Sequence, residues 1–157
     1  MATYTATISW TRPADAADFL KGKYSRLHDW AFDGGVTIKG SPSPHVVPKP
    51  WSDVTAVDPE EAFVASLSSC HMLTFLWLAG KAGYVVDSYR DEAAGVMTKN
   101  EQGRMWMSTV TLKPHIVFSG DKRPDAAALA ALHHAAHDEC YIANSVKTDV
   151  RCEPTVG

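Results

Sequence analysis

Apolar and polar residues alternate with period two over residues 3–11. Tyr4, Ala6, Ile8 and Trp10 fall on one face, and Thr5, Thr7 and Ser9 on the other. That pattern predicts a half-buried strand. Alternation returns over residues 24–32, with Tyr24, Arg26, His28, Trp30 and Phe32 on one side. Asp33-Gly34-Gly35 supplies a hairpin turn into a third strand over 36–39. Residues 40–52 contain Pro42, Pro44, Pro48 and Pro50 and predict an irregular connection. Asp58-Pro59-Glu60-Glu61 is a helix start: Asp58 caps, Pro59 suits the first helical position, and Glu61 stands where a capping-box acid belongs. The helix runs to about Lys81, with Gly83 as its stop. Two strands follow, over 85–98 and 104–118, around a turn at 99–103. Pro124-Asp125 opens a second helix over about 126–140. Val146, Thr148, Val150 and Cys152 then alternate with Lys147, Asp149 and Arg151 in a last strand. The order β-β-β-α-β-β-α-β predicts an α+β fold, two main helices covering antiparallel sheet, in a single domain of 157 residues.

The stretch 62–79 approaches the length of a membrane span. It carries Ser66, Ser68, Ser69, His71 and Thr74, and acids precede it. A helix buried in a protein core or at a subunit interface is the better expectation, so no membrane partner is expected. The first ten residues have no basic region followed by an apolar run, so a cytoplasmic protein is expected. A net charge of −3 argues against a nucleic-acid partner, which calls for a basic face. Three Cys make no disulfide framework and fit a reduced compartment in which one or two thiols do chemistry.

Cys70 lies in the middle of the apolar helix among Ala65, Ser66, Ser68 and Ser69, small residues that let other groups approach. It is too far from the helix N-terminus to gain from the dipole, so a reactive thiolate there needs a cation from elsewhere. Arg26 is the first candidate and Arg12 the second. Glu60 precedes Cys70 by ten residues, roughly 15 Å of helical rise, and cannot touch it directly. Cys152 shares a strand face with Val146 and Val150 and reads as core. His134, His137 and Cys140 recur every third residue and are zinc-ligand types. Three-residue steps drift by about 60° around a helix, so these three converge poorly, and exposed histidines on an amphipathic surface are the simpler reading.

Asp58-Pro-Glu-Glu-Ala-Phe-Val-Ala-Ser-Leu-Ser-Ser-Cys70 resembles the helix bearing the first cysteine in the OsmC/Ohr family, the osmotically inducible and organic-hydroperoxide-resistance proteins. Ala136-His-Asp-Glu-Cys140 resembles the segment around that family's second cysteine. The resemblance implies an intertwined homodimer with buried long helices, and a Cys-based peroxidase that reduces organic hydroperoxides with an external dithiol. Cys70 corresponds to the peroxidatic cysteine and Cys140 to the resolving one. Glu60 corresponds to the family's acid, and Arg26 to its N-terminal arginine. No metal or organic cofactor is implied. Tyr141 stands where many members have Pro, and His71 is unusual after the first cysteine, which marks a divergent branch.

The expected chemistry is attack of the Cys70 thiolate on a peroxide, a sulfenic acid, and a Cys70–Cys140 disulfide. Glu60 would hold Arg26 through a paired carboxylate. Trp10, Trp30, Phe32, Phe75 and Trp77 are candidates to wall an apolar pocket. The rivals are a zinc- or small-ligand-binding protein using His134, His137 and Cys140, and a non-catalytic scaffold of the same fold.

Overall fold

The computed structural model describes all 157 residues, as two compact units, Met1–Ala62 and Phe63–Gly157. The first unit holds a three-stranded antiparallel sheet of β1 (Ala6–Ser9), β2 (His28–Phe32) and β3 (Thr37–Gly40), in that order. Trp30 pairs with Ile8 on one side and Ile38 on the other, so the alternating apolar faces coincide across the sheet. The turn between β2 and β3 places Gly35 at φ +84°, where a side chain would be strained. Gly40 is needed for another reason: a Cβ there would collide with the Trp30 and His28 rings, which are joined by a 2.6 Å hydrogen bond.

Two sequence expectations change in this unit. A short helix, α1 (Ala16–Leu20), lies between the first two strands, capped by Asp15 accepting from the Asp18 N–H at 2.8 Å. The second strand starts at His28, so Tyr24 and Arg26 lie in a loop. The period-two signal there came from side chains gathering on one another: Tyr24 packs on Phe19 and Trp10, and Arg26 lies over the Tyr24 ring.

The long helix α2 (Pro59–Lys81) has both ends written into the sequence. Asp58 Oδ1 accepts from the Glu61 N–H at 2.7 Å, and Glu61 Oε2 accepts from the Asp58 N–H at 3.2 Å, closing a capping box. At the other end Gly83 adopts φ +81°; its N–H bonds the Gly80 carbonyl and the Tyr84 N–H bonds the Ala79 carbonyl. These are the two bonds of a Schellman stop.

In the second unit the predicted long strands are each broken. The chain forms β4 (Val85–Asp91), β5 (Ala94–Lys99), β6 (Met105–Leu112) and β7 (Pro114–Ser119). β4 and β7 belong to one sheet, β5 and β6 to another. Between β4 and β7 the chain therefore changes sheet twice, after Asp91 and at Lys113. One carboxylate ties both places to α2: Asp91 accepts from the Lys113 N–H at 2.6 Å and from the Ser68 hydroxyl at 2.5 Å. Helix α3 (Ala126–Asp138) is capped by Asp125, as its opening predicts. A 3-10 turn (Ala143–Ser145), β8 (Asp149–Cys152) and β9 (Thr155–Val156) complete the chain. β8 joins β6 and β9 joins β7 in parallel, so these two sheets are mixed rather than purely antiparallel.

Helix α2 has two opposite rows. Leu67, His71, Phe75 and Ala79 are buried, while Ala65, Ser69, Leu73, Trp77 and Lys81 are exposed. The C-terminal half of the buried row packs with Ile116, Phe118, Leu129 and Ala136. The N-terminal half packs through Leu67 with Val110 and Leu112, bordered by Val150 and Cys152. Fully burying a side chain such as Phe75 contributes about 1.5–3 kcal/mol.

Asp58→Ala should lower unfolding stability by about 1–2 kcal/mol in a urea titration, because the nearly buried Asp58 carboxylate that accepts from the Glu61 N–H is lost. Glu61→Gln, which keeps an acceptor for the Asp58 N–H, should cost less than half as much. Equal losses would show that the box is not what fixes this end.

Candidate active site

Cys70 is half-buried on α2, and its own carbonyl accepts from the Thr74 hydroxyl at 3.0 Å. Cys140 follows α3 and is 1% exposed. Its sulfur accepts from the Ala143 N–H at 3.4 Å, at the start of the 3-10 turn. Burial pushes the Cys140 thiol up to about 11, and the neighbouring Cys70 thiol adds to the rise, while the Ala143 N–H opposes it. At neutral pH Cys140 is therefore a thiol, with the more open Cys70 as its neighbour. All three cysteines are free. The fold thus brings together two sulfurs 70 residues apart in sequence, on different elements.

Arg26 and Glu60 lie in the other compact unit. Arg26 donates to the Gly22 and Tyr24 carbonyls and covers the Tyr24 ring at 4.1 Å. Glu60 stands in the first turn of α2. The expected Arg26–Glu60 pair is not among the ion pairs of this chain. Arg12 is exposed and donates to the Ala14 carbonyl. The candidate wall aromatics have separate partners within each unit. Phe75 is core, Trp77 is 55% exposed beneath the Lys81 ammonium, and Trp10 stacks near Phe19 and Tyr24.

The histidine run on α3 divides differently from the sequence expectation. His134 is exposed and lies 3.4 Å from Asp138. His133, one residue earlier, is 4% exposed and faces His71, which is 2% exposed. His71 Nε2 and His133 Nδ1 are 3.0 Å apart, and Cys152 Sγ lies 3.7 Å from the first and 3.4 Å from the second. The clustered donors are thus His71, His133 and Cys152, not His134, His137 and Cys140. The two imidazoles are coplanar within 2°, with centroids 5.3 Å apart. That separation is about the largest a 3.0 Å N···N contact allows, so the rings meet edge to edge and share one proton.

Burial first, then the charge of His137, hold His71 down to about 4, with Asp91 partly opposing. Burial and then His71 hold His133 down to about 4. Burial, Asp91 and Glu153 push the Cys152 thiol up to about 12. The trio is therefore neutral near pH 7. His133 Nε2 and the Tyr89 hydroxyl are buried without partners. Sequence reasoning missed this cluster. The available signal was the four-residue spacing that puts His71 in the same row as Leu67, Phe75 and Ala79.

A family model of OsmC-like proteins matches residues 52–155. A solved structure of an OsmC-like protein of unknown function from Vibrio cholerae is 50% identical. It superposes with a TM-score of 0.94, covering 99% of this chain and 100% of that one. An organic hydroperoxide resistance protein, OsmC, from Legionella pneumophila is 13% identical, with a TM-score of 0.66 over 100% of this chain and 98% of that one. The organic hydroperoxide resistance protein OhrB of Bacillus subtilis is 17% identical, with a TM-score of 0.57 over 99% and 100%. At those identities the last two share the fold. No curated protein matches the sequence. The matched segment is about two thirds of the chain and carries the capped α2 start, both Cys70 and Cys140, and strands β4 to β8, so the chain belongs to the OsmC-like family.

Proposed function

We propose that this protein is a thiol-dependent peroxidase that reduces organic hydroperoxides through Cys70 and Cys140. The observation that carries the reading is a half-buried free Cys70 thiol with a buried free Cys140 thiol near enough for Cys70 to raise it. The more open sulfur is the one a substrate reaches. The Cys70 thiolate attacks the terminal peroxide oxygen and the O–O bond breaks. Its electron pair leaves with the alkoxide, which takes a proton to become the alcohol, and Cys70 becomes a sulfenic acid. The Cys140 thiol then condenses with it, forming the disulfide and releasing water. An external dithiol restores both thiols by exchange. Three free cysteines suit a reducing, cytoplasmic setting.

The family resemblance gives Arg26 the role of the cation that favours the thiolate, and Glu60 that of its carboxylate partner. A second copy of the chain covers the exposed row of α2. Support comes from Leu73 and Trp77, 61% and 55% exposed in one chain. Large apolar groups at regular spacing on a long helix are what a subunit contact buries.

With tert-butyl hydroperoxide and a dithiol, Cys70→Ser should abolish turnover, whereas Cys140→Ser, assayed after reduction and removal of the dithiol, should consume one equivalent and stop as a trappable sulfenic acid. Unchanged turnover in Cys70→Ser would refute the mechanism. Arg26→Gln should slow the peroxide reaction at neutral pH more than tenfold and move its rise to higher pH; an unshifted profile would remove Arg26 from the site. Leu73→Glu should convert a dimer to a monomer in analytical ultracentrifugation. A monomeric wild type would contradict the assembly.

A further inference from the structure

His71, His133 and Cys152 have no part in the peroxide chemistry, yet they occupy the junction of the two cores. Cys152 borders the cluster around Leu67, Val110 and Leu112. Leu129, Leu132 and Ala136, on the turns flanking His133, belong to the cluster around Phe75, whose ring stacks on His133 at 4.4 Å. Three apolar residues of similar volume would fill such a junction without polar atoms to satisfy. Instead it holds two imidazoles and a thiol that satisfy each other incompletely. His133 is 4% exposed and its second nitrogen has no partner. Nor are the three neighbours by local sequence. They are 62, 19 and 81 residues apart and come from α2, α3 and β8.

The geometry points to a mononuclear zinc(II) site formed by His71 Nε2, His133 Nδ1 and Cys152 Sγ. The three atoms form a triangle with edges of 3.0, 3.4 and 3.7 Å. A point equidistant from them lies about 2 Å from each, matching a zinc–nitrogen bond of ~2.0–2.1 Å and slightly inside a zinc–sulfur bond of ~2.3 Å. An ion a little out of that plane meets all three. Each imidazole must turn from its edge-to-edge arrangement so that its lone pair faces the ion rather than the other ring. On binding, the proton shared by the rings moves to an outer nitrogen, and the Cys152 proton leaves to solvent as the Zn–S bond forms. Two imidazoles and a thiolate are borderline-to-soft donors, which select zinc over magnesium or calcium. Three protein ligands leave the fourth position of a tetrahedron for a small donor such as water. The ion would pin α2, α3 and β8 together beside the Cys70–Cys140 pair without using either sulfur, so this inference stands apart from the peroxidase reading.

The test is zinc and cobalt(II) titration of the reduced full-length protein against a competing chelator. One equivalent should bind, and the cobalt form should show tetrahedral visible bands with a thiolate charge-transfer band. A Cys70→Ser/Cys140→Ser variant should keep that band, and His134→Ala should keep the affinity. Cys152→Ser should lose the band and weaken zinc binding by at least tenfold. A circular-dichroism melt establishes that this variant folds, and should show that zinc raises the melting temperature of wild type and not of Cys152→Ser. If wild type binds neither ion, or the band follows Cys70 and Cys140 instead of Cys152, the site is refuted. So is it if binding depends on His134.

Discussion

The structure depends on a conflict within one helix. Helix α2 is apolar enough to cross a membrane by length and composition, yet one row of it forms the core of the second unit. Its sequence must therefore satisfy two surfaces at once. The row through Leu67, His71, Phe75 and Ala79 fits sheets and α3, while the row through Leu73 and Trp77 stays exposed in the single chain. Cys70 stands between these rows, half-buried, which is where a thiol can be both positioned by packing and reached from outside. Ends fixed by the Asp58–Glu61 box and the Gly83 stop set the phase of the helix, and with it the direction of each row.

Around that helix the polar contacts are few and placed at junctions. Asp91 accepts from Lys113 where the chain changes sheets, and from Ser68 on α2 one turn before His71. His71 then meets His133 and Cys152 where the two apolar clusters adjoin. A negative Asp91 opposes the fall of His71 and adds to the rise of Cys152, so one carboxylate influences both groups electrostatically. The cores are thereby joined through a chain of groups whose hydrogen bonds are directional, rather than through apolar contact alone.

The sequence carried much of this because its strongest signals are local. The cap at Asp58, the stop at Gly83, the turn at Gly35 and the cap at Asp125 are all made by residues within a few positions of each other. The OsmC-like fold was legible for the same reason, since its motif lies on the capped helix. The breaks after Asp91 and at Lys113 were not legible. A strand that changes sheet keeps its alternation, and only the long-range bond to Asp91 marks the place. Alternation of Tyr24 and Trp30 around Arg26 predicts a strand residue, whereas loop carbonyls hold it. The strand face shared with Val146 and Val150 predicts plain core at Cys152, which is half of its setting. Its two histidine neighbours come from helices 81 and 19 residues away, a distance that periodicity does not span.

The most direct measurement is peptide mapping by mass spectrometry after one equivalent of an organic hydroperoxide is added to the reduced protein without oxygen. The account predicts a single Cys70–Cys140 disulfide in each chain, with Cys152 still a free thiol. Oxidation falling first on Cys152, or a Cys70 that stays reduced while peroxide disappears, would contradict it.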